Sequence, residues 1–380
     1  MIKWKRTDFV KIDNLLDRKL IKNIDIGIVI STILLIIYGF ISISSATHIT
    51  SGGSVGTLKV QIVAFILGII GILVILLIDY KSFGDNYVLI YGTNIFLLVL
   101  VLIIGFSTKG TRGWIDLGPV NMQPSEIVKL GYILTFAKYL EKKKDNLDRV
   151  VDVLPAMLHL GLIVGLIMLQ PDFGTALVFI FISIFMLFAA GINYKIVAGA
   201  FCTFLISLPV MWKFLKQYQK DRILVFFNPE LDPMGAGYQV IQAETAIGSG
   251  KFFGKGLFKG TQNNLGFIPE RHTDFIFSVI GEELGLIGAF ILLVLFMWLL
   301  LRCIHIAKVS KDDYGMLICV GIMAMFLFHI LENIGMTIGL MPVTGIPLPF
   351  ISYGGSSLLM NMAAVGLVLN VGMRRQVIRF

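Results

Sequence analysis

The chain has 380 residues, of which 56% are hydrophobic and only 15% charged, and its mean hydropathy is +0.85. A soluble domain of this length cannot bury so much apolar surface, so the composition predicts a polytopic membrane protein. The formal charge of +8 comes from basic residues in short segments between apolar runs, which indicates membrane orientation rather than nucleic-acid binding. Cys202, Cys303 and Cys319 lie in or beside apolar runs, lack metal-site spacing and are interpreted as core residues.

Runs of about 20 apolar residues predict ten membrane-spanning helices and an all-α fold. The fourth run is interrupted by charges, but it is needed to place the basic segments on one, cytoplasmic, side. That side then holds a tail of residues 1–25, the loop at Lys142 to Lys144 and a tail of residues 373–380, around a membrane domain of residues 26–372. The predicted spans are 26–46, 58–78, 86–106, 124–140, 151–169, 173–190, 194–212, 275–301, 314–336 and 350–372.

The outer side carries two longer segments, residues 107–123 and 213–274. The second is basic, but loops of this length are translocated largely regardless of charge. Within it, residues 238–247 are predicted to form a short amphipathic helix and residues 248–260 a loop rich in glycine and lysine. The loop lacks P-loop spacing, so two interpretations remain open: a flexible solvated loop whose lysines face lipid headgroups, or a pyrophosphate surface made by backbone N–H groups with Lys251, Lys255 and Lys259.

A single carboxylate, Asp274, stands where this outer loop changes to apolar helix, in the stretch NLGFIPERHTDFIFSVIGEELGLIG. A carboxylate at such a boundary is exposed to both water and low dielectric, so its pKa can rise into a range useful for accepting a proton. Thr273 and Asp274 before an apolar run also suit a helix cap. A general base and a structural cap both remain open.

Charged residues inside the predicted helices are a further signal, because an ionised side chain at mid-bilayer costs about 2.5–3.5 kcal/mol. Glu126 and Lys129 are three residues apart, so they share a helix face and can form an ion pair. Bracing of the fold and contact with a substrate both remain open for this pair. Asp172, in the motif QPDFGT between two helices, has either a turn-forming or capping role or a functional one.

The segment GLMPVTGIPLPFISYGGSS lies between the ninth and tenth predicted helices. Proline and glycine at this density prevent a continuous helix, so the segment is predicted to form irregular backbone in an outer cleft. His329, Glu332 and Asn333 lie close to one face of the ninth helix. We interpret them as an interhelical polar cluster, with a proton relay or a metal site as alternatives.

Several blocks of this sequence resemble the signature motifs of the SEDS family of bacterial cell-wall proteins. Their order and spacing cover most of the chain, and GKGLFKGTQ and MPVTGIPLPF are most similar to the family member that acts in cell elongation. The blocks are GTRGWIDLGPVNMQPSE, QPDFGTA, GYQVIQAETAIGSG, FGKGLFKGTQNNLGFIPERHTDFIFSVIGEELG and MPVTGIPLPFISYGGSS.

The resemblance implies a ten-helix peptidoglycan glycosyltransferase of the bacterial cytoplasmic membrane that polymerises lipid II, an undecaprenyl-pyrophosphate-linked disaccharide-peptide. It also implies partners: a class B penicillin-binding protein that cross-links the strands, and other membrane proteins of the elongation complex. The family's essential acid falls on Asp274. Its outer-loop tryptophan, its buried pair after Gln123 and its turn acid fall on Trp114, Glu126, Lys129 and Asp172.

Polymerisation of this substrate needs a base to take the proton from the acceptor 4-hydroxyl, and positive charge to hold the departing diphosphate. Asp274 is the candidate base, and direct displacement with one carboxylate implies inversion at the anomeric carbon. No cofactor is expected; no ligand cluster has the spacing for a divalent cation, and whether one takes part stays open. The candidate substrate-binding residues are Arg112, Trp114, Gln123, Glu126, Lys129, Asp172, Lys255, Lys259 and Arg271.

Two other classes of function remain open. A transporter or flippase of the lipid-linked precursor would also use buried charges and broken helices. A non-enzymatic scaffold would recruit wall enzymes through its helices. A transporter is expected to place its charges near mid-membrane, whereas Glu126, Asp172 and Asp274 all map to the outer end of the predicted helices, which favours chemistry at the membrane surface.

Overall fold

The fold is seen in a computed structural model that describes residues 22–48, 53–108, 111–116, 121–144, 147, 149–199 and 224–375, together with 202, 203, 206, 213 and 220. The helices with both ends among these residues are α1 (Ile26–Thr47), α2 (Gly53–Leu77), α3 (Tyr80–Asp85), α4 (Tyr87–Ile104), α5 (Pro124–Lys143), α6 (Val150–Leu169), α7 (Phe173–Ala189), α8 (Ala236–Gly250), α9 (Thr261–Asn264), α10 (Ile276–Lys308), α11 (Asp313–Thr337) and α12 (Gly355–Met373), with a 3-10 turn at Pro229–Leu231.

The all-α polytopic membrane fold is confirmed, since seven of the described helices are long and apolar enough to cross a membrane. Two further predicted spans correspond to α5, which is more polar, and to the shorter apolar helix α7. The predicted span 194–212 lies mostly outside the described residues, as do residues 1–21, so the count of ten helices stays a prediction. The predicted amphipathic helix at 238–247 is confirmed as α8.

Three predicted helix boundaries are wrong by five residues or more. Helix α2 begins at Gly53 instead of 58. The last helix begins at Gly355 instead of 350, because Phe350 has left-handed backbone (φ +64°) and residues 350–354 form no helix. Helix α10 runs to Lys308 instead of 301, and it is divided at Gly285, whose backbone is not helical (φ +63°, ψ −161°). Glycine is the residue that adopts this conformation without a steric penalty, so the division is encoded locally.

Residues 106–122 contain a small antiparallel sheet that the sequence did not predict. Its strands are β1 (Phe106–Thr108), β2 (Thr111–Asp116) and β3 (Asn121–Met122), in the order β1-β2-β3. Strands of two to six residues are too short to show a reliable alternating pattern. The sheet is joined to the turn between α6 and α7 by a hydrogen bond from the Arg112 N–H to the Gln170 carbonyl oxygen (3.2 Å).

Helices α11 and α12 form the centre of the bundle. Of the 18 most apolar consecutive residues of α11, 78% are buried inside the bundle, whereas the share is 17% in α2 and in α4. The outward residues of α2 and α4 therefore face lipid. Helix α11 packs against α5, α7 and α10, while α12 packs against α2. Cys303 and Cys319 are buried, as expected for core residues, but Cys202 is exposed, so the core interpretation is wrong for that cysteine.

The two ends of the bundle differ in their polar contacts. At one end, Asp25 caps α1 and accepts a hydrogen bond from Arg302 Nε (3.0 Å), and Lys81 forms an ion pair with Asp312 (2.9 Å). We call this the Asp25 end. The opposite end carries the sheet, α8, α9 and Asp274, and we call it the Asp274 end.

Candidate functional site

The backbone at residues 272–274 is fixed by three successive hydrogen bonds. The carbonyl oxygens accept, in chain order, from the Tyr353 N–H (2.9 Å), the Ser352 hydroxyl (2.6 Å) and the Asn333 side-chain amide (2.8 Å). The Asn333 amide also donates to the Ile346 carbonyl oxygen (2.8 Å). Helix α11 and the proline-rich segment before α12 therefore set the position of Asp274 through its backbone.

The Asp274 side chain does not stand at the cap position of α10. That position is held by Phe275, whose side chain makes no capping hydrogen bond. The choice between a general base and a structural cap stays a prediction for Asp274. Asp274 is partly buried, and its Oδ2 lies 3.6 Å from the place that a Cβ on Gly345 would occupy. Gly345 has φ +77°, a conformation that favours glycine, so the backbone turn beside this carboxylate depends on that residue.

The proline-rich segment also brings α7 and α11 to the same place. The Thr344 hydroxyl donates to Glu332 Oε1 (2.7 Å), and a Cβ on Gly174 would lie 2.9 Å from the Thr344 side chain. Residues 341–349 form no helix or strand, as predicted from their prolines and glycines. Thr344 contacts the buried Glu332 side chain, and the next residue, Gly345, lies beside the Asp274 carboxylate. The two carboxylates therefore lie beside adjacent residues of the proline-rich segment.

Glu126 and Lys129 form the predicted ion pair, with Lys129 Nζ 2.8 Å from Glu126 Oε1 and both residues buried. Lys129 Nζ is also 3.1 Å from His329 Nε2. An ammonium group only donates, so His329 Nε2 accepts this bond and the neutral ring carries its proton on Nδ1. Nδ1 is buried and has no hydrogen-bond partner among the described residues. The predicted interhelical cluster thus includes Lys129 from α5.

Asp172 caps α7, as the simpler of its two interpretations predicted. Its carboxylate accepts from the Thr175 N–H (3.0 Å) and the Thr175 hydroxyl (2.8 Å). Burial raises the pKa of Asp172, while the Thr175 bonds and the Lys129 charge act in the opposite direction. The effect of the Lys129 charge on the pKa of Asp172 places Asp172 near the Glu126–Lys129 pair. Its role in binding a substrate stays a prediction.

Three further candidates lie around the small sheet. Arg112 is exposed and donates from Nε to the Gly105 carbonyl oxygen (2.8 Å), while Trp114 is partly buried. Gln123 occupies the cap position of α5 but makes no capping bond with its side chain. The Asn121 carbonyl oxygen accepts from the Ser356 hydroxyl (3.1 Å), which joins the sheet to the start of α12.

The three basic candidates of the long loop have different surroundings. Lys255 Nζ lies 2.8 Å from Glu282 Oε1, so its charge is already paired with a fully buried carboxylate. Arg271 donates from Nε to the Ala46 carbonyl oxygen (2.8 Å) at the end of α1. Lys259 is exposed. Arg271 and Lys259 therefore keep more of their charge available to an anion than Lys255 does.

Sequence reasoning missed Glu282 and Glu283, two adjacent buried glutamates in α10. Glu282 accepts from the Gln262 N–H (2.9 Å) and the Asn263 N–H (3.2 Å). Glu283 accepts from the Phe258 N–H (3.1 Å) and the Ser45 hydroxyl. The signal was available, because two carboxylates in an apolar run call for buried partners just as Glu126 does.

The backbone of the glycine- and lysine-rich loop is packed against α10, while the side chains of Lys251 and Lys259 are exposed, so the choice between its two interpretations stays open. A Cβ on Gly250 would lie 1.9 Å from the Gly281 carbonyl oxygen, and a Cβ on Gly254 would lie 2.1 Å from that of Glu283. The Lys255 N–H donates to the Glu282 carbonyl oxygen (3.0 Å). These glycines serve close backbone approach to a helix, which accounts for them without a phosphate. Among the described residues, no three His, Cys, Asp or Glu side chains are grouped to hold a metal ion.

Comparisons with a family model, with curated proteins and with solved structures all point to one family. Residues 26–377 match the family of FtsW, RodA and SpoVE, described as cell cycle proteins. The peptidoglycan glycosyltransferase MrdB of Escherichia coli (strain K12) is 36% identical over 352 residues, which cover 90% of this chain and 92% of that protein.

Two solved structures have the same fold. One comes from a study titled "Structural coordination of polymerization and crosslinking by a peptidoglycan synthase complex". Its TM-score is 0.80, and its sequence is 35% identical, covering 92% of this chain and 97% of that chain. The other is the crystal structure of the rod shape determining protein RodA of Thermus thermophilus, with a TM-score of 0.70 and 32% identity over 93% and 97%. The chain therefore belongs to the FtsW, RodA and SpoVE family, the SEDS family that its motifs resemble.

Proposed function

We propose that this chain is a peptidoglycan glycosyltransferase that joins lipid II units into glycan strands during cell elongation, in the manner of RodA. The names of its relatives support the reaction, and the resemblance of its motifs to the elongation member supports the role. The observation that carries the proposal is Asp274, a partly buried carboxylate whose backbone is fixed by three hydrogen bonds at the mouth of a membrane helix.

In the proposed reaction, Asp274 takes the proton of the acceptor 4-hydroxyl as that oxygen attacks the anomeric carbon of the donor sugar. The bond from this carbon to the diphosphate breaks, and the diphosphate leaves with the electron pair. The configuration at the anomeric carbon is inverted. Arg112, Lys259 and Arg271 are the candidates that stabilise the departing negative charge, because Lys255 is already paired with Glu282.

The remaining candidates are proposed to bind the substrate from the other side of the site. Glu126, Lys129 and Asp172 form one charged region, Trp114 lies in β2, and Gln123 lies between β3 and α5. A divalent cation at the diphosphate is not required by this scheme. Whether one assists the reaction is tested by adding a chelator to the polymerisation assay.

We also propose the orientation and the partners. The basic loop at Lys142 to Lys144 and both termini lie in the cytoplasm, and the Asp274 end faces outward, in line with the distribution of lysine and arginine. A class B penicillin-binding protein is the proposed principal partner, because the similar synthase complex coordinates polymerization and crosslinking. Other membrane proteins of the elongation complex are proposed to join this pair.

Substitution of Asp274 tests the proposed reaction. Asp274→Asn keeps the size of the side chain, but the amide does not accept a proton at neutral pH, so polymerisation of lipid II by purified protein with its partner is expected to fall about 100-fold or more. Glu230→Gln, which neutralises an exposed carboxylate of the same loop, is the matched control and should keep the wild-type rate.

The same assay separates the alternatives. A rate near wild type for a folded Asp274→Asn protein would exclude Asp274 as the base. Movement of lipid II across vesicles by wild-type protein, with no polymer formed, would favour the flippase. If neither activity is found with any partner, the scaffold is favoured.

A further inference from the structure

Helix α8 descends along α10 from the Asp274 end toward the middle of the bundle. Its central residues Ala243 and Ala246 pack with Phe275, which directly precedes α10. Its last residue, Gly250, lies against Gly281, six positions beyond Phe275. Because α10 crosses the membrane, this displacement along α10 is a displacement into the membrane.

The segment after α8 reaches deeper still. The Leu286 N–H donates to the Lys251 carbonyl oxygen (2.9 Å), and the Ile287 N–H donates to the Phe252 carbonyl oxygen (3.2 Å). These N–H groups are free because α10 is interrupted at Gly285. The chain then returns, and the Gly256 N–H bonds the Glu283 carbonyl oxygen (2.9 Å). Residues 250–256 are therefore the part of this loop that lies farthest from the Asp274 end, and the loop enters and leaves the bundle at that same end.

The register along α10 gives the depth of this point. Arg302, which bonds Asp25, marks the charged boundary at the Asp25 end. From Arg302 to Ile287 the helix rises about 22 Å at about 1.5 Å per residue. The hydrocarbon core of a bilayer is about 30 Å thick. With α10 along the membrane normal and Arg302 at one edge of this core, the Phe252 carbonyl would lie about 8 Å inside the other edge.

The side chains at this depth are apolar and uncovered. Phe252 is 65% exposed and Phe253 is 83% exposed, and on α10 the neighbouring Leu286 and Phe290 are 57% and 64% exposed. The two phenylalanines thus continue the lipid-facing surface of α10 without a boundary. The N–H groups of Gly254, Lys255 and Gly256 all have backbone partners, which irregular backbone at this depth requires.

We propose that residues 250–256 form a re-entrant segment, with Phe252 and Phe253 in contact with the acyl chains of the leaflet at the Asp274 end. Lys251, which is exposed, reaches from this segment toward the phosphate groups of the same leaflet. The segment anchors the loop that carries Lys255 and leads to Asp274, so that the proposed base is held at a fixed height above the hydrocarbon.

A pair of labelled positions tests the depth. Phe253 and Met234 are both large, apolar and highly exposed (83% and 94%), but they stand beyond opposite ends of α8. Each is replaced by cysteine in a background without Cys202, Cys303 and Cys319, labelled with a nitroxide and placed in lipid vesicles without a partner protein. Collisions with oxygen should be several-fold more frequent at 253 than at 234, and collisions with a water-soluble nickel chelate should show the reverse order.

A second measurement does not need the cysteine-free background. Phe253→Trp and Met234→Trp proteins are placed in vesicles whose acyl chains carry bromine, which quenches tryptophan by contact. The added fluorescence of Phe253→Trp should be largely lost and that of Met234→Trp retained. If position 253 is as accessible to the nickel chelate as position 234, or is quenched no more than it, the segment lies in water and the proposal is overturned.

Discussion

At the scale of single residues, the site is characterised by carboxylates whose surroundings differ. Glu126 is neutralised by Lys129, Asp172 is used to cap α7, and Glu332 accepts from Thr344. Asp274 is aligned through its backbone, and its carboxylate lies beside Gly345. A carboxylate held in a fixed position is what a general base requires.

The first prediction concerns the free energy of unfolding that is lost when the buried Glu126–Lys129 pair is reduced to one charge. Lys129→Met leaves Glu126 buried without its cation, which should cost about 3–5 kcal/mol. Glu126→Gln should cost less, because Lys129 still donates to His329. The double variant should be more stable than Lys129→Met, and thermal unfolding in detergent measures all three. If all three unfold as wild type while polymerisation fails, the pair contacts substrate instead of bracing the fold.

At the scale of elements, the division of α10 is the feature on which the Asp274 end depends. The break at Gly285 frees backbone groups that the segment after α8 occupies, and the two glutamates before it hold the chain from Phe258 to Asn263. Helix, break and loop are therefore one structural unit, and it leads directly to Asp274.

The first prediction at this scale concerns the break itself. Gly285→Ala places a side chain at φ +63°, which costs about 1–3 kcal/mol, and its Cβ would lie 2.4 Å from the Gly254 nitrogen. The variant should unfold at a clearly lower temperature. Gly248→Ala is the matched control: its Cβ meets nothing within 4 Å in helix α8, so it should gain about 0.5–1 kcal/mol. Equal unfolding temperatures for the two variants would contradict this account of the break.

The second prediction at this scale separates two lysines of one loop. Lys255→Met leaves Glu282 buried without a cation, so it should lower stability by about 3–5 kcal/mol. Lys259→Met changes an exposed side chain and should leave stability near wild type, while it lowers polymerisation if Lys259 holds the diphosphate. Thermal unfolding and the lipid II assay are measured on both variants. A stable Lys255→Met protein would show that the Lys255–Glu282 pair contributes little to the fold.

At the scale of the whole molecule, the charged ends and the apolar girdle define how the bundle lies in a membrane. The Asp25 end carries ion pairs between neighbouring helices, including Lys144 with Asp313 (2.6 Å). The Asp274 end carries the sheet, the descending helix α8 and the proposed site. The predicted topology places these two ends on opposite faces of the membrane.

Labelling in intact cells tests this orientation. Single cysteines at Lys143 and Met234, both exposed, are introduced into the background without native cysteines. An impermeant thiol reagent should label Met234→Cys and leave Lys143→Cys unlabelled until the cells are opened, because only the Asp274 end faces outward. The reverse pattern would overturn the proposed orientation together with the proposed outer site.

The sequence by itself determined the membrane class, the position of most helices and the pairing of Glu126 with Lys129. Each of these follows from a local rule: an apolar run of fixed length spans a bilayer, and residues three apart on a helix share a face. The transition from polar loop to apolar helix likewise indicated Asp274 as a candidate site residue. The irregular backbone of the proline-rich segment was predictable for the same reason, since proline and glycine act on their own neighbours.

Only the tertiary structure decided which distant groups meet. It brought His329 to Lys129, Asn333 to the Asp274 carbonyl, and Lys255 to Glu282. It also gave the loop glycines a helix backbone to pack against, where the sequence left a phosphate or solvent open. These contacts join residues separated by long stretches of chain, and no local period relates them. They are selected because buried polar groups must find partners somewhere in the folded bundle, and the fold alone determines where.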